Sequence, residues 1–285
     1  MYGICENLNL ITKNMLKINV IISWGIMLSF ISQAQSIPNL LDQRALSGTL
    51  QIKYKNGTAS AFQYKGIDSV GYLITAKHIF ATKFQRKIEN GKTVKYLYYD
   101  SLLVSDGEQV DVKIFYNSGW INLDARLFFD NNKGDVAILR TNIPMEGNSY
   151  NFGANDLYVS QECFFIGYPL GLRMDFSKRP GFAPYPIPFV RKGIFSALGN
   201  ITDGFVTKYF IDGHNTYGFS GGPLLYYNWA KKAYYVAGVI SGYIPQENHL
   251  YKDDGSEATS EENSGLMEVY NIEYAIRILK RLKCM

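Results

Sequence analysis

The chain has 285 residues, 47% hydrophobic and 15% aromatic, which is enough apolar surface for a sizeable core and excludes a disordered chain. Its formal net charge is +4 with the basic residues scattered, so the basic stripe that binds a phosphate backbone is missing and nucleic acid is not an expected partner. Three cysteines, Cys5, Cys163 and Cys284, are too few for a disulfide framework to hold the fold.

In chain order, Lys13 and Lys17 precede the apolar run at 18–31, and Ser32 and Ala34 follow as small residues three and one before a cleavage point. That pattern predicts a signal peptide over 1–34. The run of 14 residues falls short of the roughly 20 needed to span a bilayer as a helix, so no stable membrane anchor is expected after its removal. Met15 is an equally good start, which makes 1–14 a candidate over-long start. The expected location is outside the cytoplasm, periplasmic or secreted. Cys5 would leave with the signal, and the spacing of Cys163 and Cys284 leaves their pairing open.

From Ser47 onward short runs alternate apolar and polar residues between Gly, Asn and Asp: GTLQIKY, TASAFQY, SVGYLIT, KYLYY, VDVKIFY, ARLFF and DVAILRT. A second series, ECFFIGY, RKGIFSA, FVTKYFI, GPLLYY, AYYVAGVIS and GLMEVY, follows a linker at 142–155. Period-two alternation with frequent turn residues predicts strands, and the two series predict two β units over 45–141 and 156–270. Helical spacing is convincing only at 271–283, where Ile272, Ala275, Ile276, Leu279 and Leu282 share a face and Lys280, Arg281 and Lys283 load the last turn. The fold class is therefore all-β with a closing helix. The stretches 173–188, rich in Pro and aromatics, and 246–265, polar and acidic, read as surface loops.

A nucleophilic serine needs a base, a group to orient that base, and donors for the oxyanion. The stretch YGFSGGPLL at 217–225 sets Ser220 among Gly218, Gly221 and Gly222, a backbone permissive enough for the N–H groups of Gly218 and Ser220 to face one point. Of three histidines, His78 lies just past an apolar strand, and Asp135 opens another. Taken singly, these read as a glycine-rich hairpin turn, a packed histidine and a turn or cap aspartate.

Together, TAKH, DVAIL and GFSGGP occur in the order His78, Asp135, Ser220, at spacings of 57 and 85 residues. This set resembles the trypsin-like (chymotrypsin-fold) serine peptidases, with T-A-x-H, D-[ILV]-A-[ILV]-[ILV] and G-x-S-G-G-P. FFIGYP at 164–169, VRKGIFSALG at 190–199 and AGVIS at 237–241 extend the resemblance to bacterial exported members, the protease domain of HtrA-like enzymes without a PDZ domain. The resemblance implies two antiparallel six-stranded β-barrels with a cleft between them and a C-terminal helix. It also implies a triad of His78, Asp135 and Ser220, an oxyanion hole at Gly218 and Ser220, and support of the aspartate by Ser241. Substrate-binding positions fall at His214, Thr216, Ser241, Gly242 and Tyr243, the last three pairing with an extended peptide. His214 stands where an Asp would select Lys or Arg, so no such preference is expected; Tyr243 would narrow the pocket for small or medium apolar side chains, and His214 favouring an acidic one is the alternative. Ile79 and Tyr226 stand where relatives place disulfide cysteines. Phe219 replaces the Asp that receives a new N-terminal ammonium, so proteolytic activation is not expected. The implied activity is exported endopeptidase on polypeptide substrates, without metal or cofactor; a non-catalytic peptide-binding homologue and an esterase are the alternatives.

Overall fold

A computed structural model describes residues 41, 43–81, 84–89, 92–97, 104–130, 134–142, 150–175, 185–202, 204–251 and 256–285. The expected signal peptide at 1–34 lies outside them. Among the described residues no helix is long and apolar enough to cross a membrane.

After a short helix α1 (Gln43–Ser47), the first barrel is built from β1 (Thr49–Tyr54), β2 (Gly57–Lys65), β3 (Gly71–Thr75), β6 (Gln109–Tyr116), β7 (Gly119–Phe129) and β8 (Ala137–Thr141). All neighbours run antiparallel in the order β1-β2-β3-β8-β7-β6, and pairing of β1 with β6 at Ile52–Tyr54 closes the ring. Alternation explains which faces turn inward: Val110, Val112 and Ile114 of β6 are buried while Asp111 and Lys113 are exposed. Leu123, Ala125, Leu127 and Phe129 of β7 fill the same interior. Asn117 and Ser118 join β6 to β7 with φ of 47° and 64°, both positive, as a two-residue hairpin turn matched to strand twist requires. Among the described residues, β4 (Phe84–Glu89) and β5 (Lys92–Leu97) pair only with each other, so Lys95–Leu97 of the expected strand KYLYY lie in a side ribbon and its last two residues lie outside the described ones.

The second barrel uses β10 (Glu162–Gly167), β11 (Phe189–Leu198), β14 (Lys208–Asp212), β15 (Pro223–Asn228), β16 (Ala233–Tyr251) and β17 (Glu257–Asn271). Their order is β15-β10-β11-β14-β17-β16, closed by β15 against β16. Phe165, Phe195, Ile211, Leu224, Ala237, Met267 and Val269 form its core. The stretch expected to be a linker contributes β9 (Asn151–Phe152), which adds parallel to β16, and β12 (Ile201–Thr202) pairs with β13 (Phe205–Val206) as a small ribbon. Cys163 faces Tyr226 across β10 and β15, and Cys163 and Cys284 are both free and buried. No disulfide joins them.

Within the acidic stretch 246–265, expected as a surface loop, the described residues 246–251 and 257–263 are strands rather than loop. They extend β16 and β17 into a ribbon paired from Pro245 with Asn263 to Tyr251 with Glu257, with His249 Nδ1 in contact with the Glu257 carboxylate. Both ribbon faces are polar, so no alternation betrayed the strands; backbone hydrogen bonds hold them. In the stretch 173–188 the described ends also pair, Met174 with Ile187, and Arg173 stacks on Phe115 of the first barrel with its guanidinium carbon 3.7 Å from the ring centre.

The closing helix α2 (Glu273–Arg281) buries Tyr274, Ala275, Ile278 and Leu279, so the inward face is rotated from the expected one and Ile276 and Leu282 are only half-buried. Arg281 reaches the first barrel at Asp106, 3.0 Å away, and the Cys284 carbonyl accepts from Ile67 N–H at 3.0 Å. Residues 43–285 thus form one compact unit.

Candidate active site

Strands β3 and β8 pair with Thr75 opposite Ala137, which brings the segment after β3 beside the segment before β8. There a 3-10 turn over Lys77–Phe80 carries His78, and Asp135 lies next to it, 1% exposed. The Asp135 carboxylate accepts from His78 backbone N–H at 2.7 Å and contacts His78 Nδ1 at 2.6 Å. The Ser241 hydroxyl, on β16 of the second barrel, donates to the same carboxylate at 2.5 Å. Since a carboxylate accepts only, Nδ1 carries the proton and the neutral ring keeps its Nε2 lone pair free for a further proton.

Burial alone would lower the pKa of His78, but the charge of Asp135 and its hydrogen bond reverse the sign and the imidazole titrates above its usual 6.5. Burial would raise Asp135, yet the charge and hydrogen bonds of His78, with the Ser241 hydroxyl, hold it below 3.8. The pair is an ionised, hydrogen-bonded carboxylate orienting a basic imidazole.

Ser220 sits on the turn before β15. Its hydroxyl donates to Ser241 O at 2.9 Å rather than to His78. On the same turn the Tyr217 carbonyl accepts from Leu170 N–H at 2.6 Å and the Phe219 carbonyl from Gly222 N–H at 2.8 Å. In a trans peptide the N–H opposes the carbonyl, so the amides of Gly218 and Ser220 are turned away from those partners. Neither donates to an acceptor among the described residues. The Gly218 carbonyl is itself held by Ser60 Oγ at 2.7 Å. Gly218 has φ of +100°, and a Cβ there would lie 2.1 Å from Tyr168 O, so no other residue fits the turn. Two backbone donors without acceptors beside a serine hydroxyl have the make-up of an anion site.

Residues 59–230, more than half of the chain, match the family model of the trypsin-like peptidase domain. The chain belongs to the trypsin-like peptidase family. It is a serine protease, a hydrolase of that fold. Among solved structures, this trypsin-like peptidase is similar to the Rv3671c protease in its inactive form at 15% identity and a TM-score of 0.49, over 84% of this chain and 90% of that one. It is similar to a serine endoprotease from Yersinia pestis at 16% identity and a TM-score of 0.49, over 84% of this chain and 64% of that one. For the HtrA-type protease AlgW with a tripeptide, the figures are 17%, 0.49, 84% and 61%. No curated protein matches the sequence.

Hydrogen bonds within the trypsin-like peptidase bring His78, Asp135, Ser241 and Ser220 into one chain of contacts. The Gly242 carbonyl accepts from Asn215 Nδ2 at 3.1 Å, and the rings of Tyr217 and Tyr243 meet edge to face at 6.4 Å. Thr216 O accepts from Phe219 N–H at 3.3 Å. His214 is exposed and its carbonyl accepts from Arg191. Three contributors had no signal in the sequence. Ser60, a buried residue of β2 between the core-facing Ala59 and Ala61, points out of the first barrel, donating to Gly218 O and accepting from Tyr168 N–H at 3.0 Å. Leu170 supplies the amide that orients the Tyr217–Gly218 peptide, from a backbone at φ 54°. Asn215, 2% exposed, bridges the nucleophile turn to β16. A serine among alanines, a leucine after Pro169 and an asparagine in a Gly-rich run look ordinary until the second barrel is closed.

Proposed function

We propose that the protein is an exported serine endopeptidase that cleaves polypeptides through His78, Asp135 and Ser220. In this reading His78 Nε2 takes the proton of Ser220 Oγ as the oxygen attacks a peptide carbonyl carbon. The amides of Gly218 and Ser220 receive the oxyanion. Collapse of the tetrahedral intermediate breaks the C–N bond, and His78 returns the proton to the leaving amine. Water, deprotonated by the same imidazole, then hydrolyses the acyl-enzyme. Asp135 keeps Nδ1 protonated and offsets the positive charge that develops on the ring.

The observation that carries this reading is the Asp135 carboxylate, 1% exposed and held by two hydrogen bonds from His78 and one from Ser241. A buried charge with three such partners is expensive as a mere packing device, and it is what a catalytic imidazole needs. The edge of β16 at Ser241–Tyr243 supports polypeptide rather than small esters as substrate, because an extended chain can add there as a strand. Export rests on the sequence pattern of 1–34.

The hydrogen bond from Ser220 Oγ to Ser241 O bears on the non-catalytic alternative, because attack requires the hydroxyl to swing to His78. Bonds of this kind commonly tighten only once substrate is bound. Purified protein should hydrolyse an unfolded polypeptide and take up an organophosphonate at Ser220; His78→Ala should block the labelling. Peptide binding with neither cleavage nor labelling would establish the non-catalytic reading instead. In Ser220→Ala, hydrolysis should be lost; an unchanged rate refutes the assignment.

A further inference from the structure

The serine protease reading leaves unassigned which side chain the substrate presents at the residue whose carbonyl is attacked. Two buried polar atoms next to Ser220 have no hydrogen-bond partner: Asn215 Oδ1 and Thr216 Oγ1. The orientation of the Asn215 amide is fixed, because its Nδ2 donates to a carbonyl, Gly242 O, which can only accept. Its Oδ1 is therefore an unused acceptor, and the Thr216 hydroxyl is an unused donor and acceptor. Groups so placed are costly to bury and rare without a reason.

Their surroundings locate that reason. Asn215 spans from the turn that bears Ser220 to β16 at Gly242, and Asn263 on β17 donates to the Asn215 carbonyl. A side chain built at Gly242 would meet open space, so β16 is uncrowded at the residue whose carbonyl Asn215 holds. At the neighbouring positions the rings of Tyr217 and Tyr243 meet edge to face. Tyr217 is 68% exposed, so an outward turn of its ring would open this space to a side chain. A peptide paired with Ser241–Tyr243 and attacked by Ser220 must send its side chain between these walls.

We infer that this space selects a primary carboxamide, so that the enzyme cleaves after Gln or Asn. The substrate N–H would donate to Asn215 Oδ1 and its C=O would accept from the Thr216 hydroxyl. An apolar side chain would leave both atoms dry. A carboxylate would face the Asn215 oxygen. A Lys or Arg would bring a cation to a segment whose His214 carbonyl is already bonded to the Arg191 guanidinium; among the described residues no carboxylate bonds to 214–217. This inference rests on the peptidase reading and replaces the apolar preference expected from Tyr243.

The test uses peptides identical except for Gln, Met, Leu or Lys before the scissile bond. Wild-type kcat/KM should favour Gln over the similarly sized Met by about tenfold or more, and Asn215→Leu should erase or invert that ratio. A wild-type preference for Met, Leu or Lys overturns the inference and leaves the peptidase reading intact. So does phosphonate labelling of Ser220 without cleavage of any peptide after Gln or Asn. Neither labelling nor cleavage sinks both together. If Asn215→Leu does not fold by circular dichroism, the wild-type ratio and that of Thr216→Val decide.

Discussion

The charge state of His78 is set by one neighbour. Since Asp135 lifts the imidazole above 6.5 against the opposing effect of burial, the base is protonated and inactive at low pH, and activity should rise through a midpoint above 6.5. Replacing the carboxylate by an amide removes the charge that raises the pKa and leaves burial, which lowers it. In Asp135→Asn the acidic limb should therefore move below 6.5, with kcat falling by about 10⁴-fold, the loss seen when this orienting role is removed in the triad template. The check is a pH–rate profile of both proteins; a limb that does not move separates Asp135 from the imidazole. Gly218 permits a different prediction. A Cβ there meets Tyr168 O at 2.1 Å in a backbone of positive φ, so Gly218→Ala must rotate the peptide proposed to present an oxyanion donor. The expected loss is about 100 to 1,000-fold in kcat, read against acylation by the phosphonate.

Single elements owe their positions to contacts between barrels. Strand β2 of the first barrel carries Ser60, whose N–H donates to Ser220 O at 2.9 Å and whose hydroxyl binds Gly218 O and Tyr168 N–H. The nucleophile turn is thus pinned to the opposite barrel by a serine. In Ser60→Ala the buried Tyr168 N–H and Gly218 carbonyl lose their partner, a destabilisation of about 1–3 kcal/mol, and the turn loses its anchor. Thermal unfolding should show the lower stability and phosphonate acylation a slower rate; an unchanged acylation rate would limit Ser60 to a structural role. Alternation in β6 and β7 made those strands legible from sequence, whereas the ribbon beyond Pro245 was missed because neither of its faces meets a core. Asn215 and Leu170 were missed for another reason: their work is done by one side-chain amide and one backbone N–H, which leave no pattern in a sequence.

At the scale of the whole molecule, α2 follows the second barrel yet ends against the first, through Arg281 with Asp106 and the Cys284 carbonyl with Ile67. Its Leu279 is fully buried, so Leu279→Ala should cost about 2–5 kcal/mol, seen as a lower midpoint in chemical denaturation, and free Cys284 should then react faster with a thiol reagent. The chain by itself determined two β units, a closing amphipathic helix and the motifs that carry His78, Asp135 and Ser220, because alternation, turn residues and short motifs are local patterns. Only the tertiary structure decided that Cys163 and Cys284 stay apart, that Pro245–Tyr251 pairs with Glu257–Asn263 as a ribbon, that Ser60 binds the backbone of Gly218 and Ser220, and that Asn215 binds β16 at Gly242. Those facts depend on which backbone groups remain unpaired once both barrels close, a sum over residues more than a hundred positions apart that no short window of sequence contains.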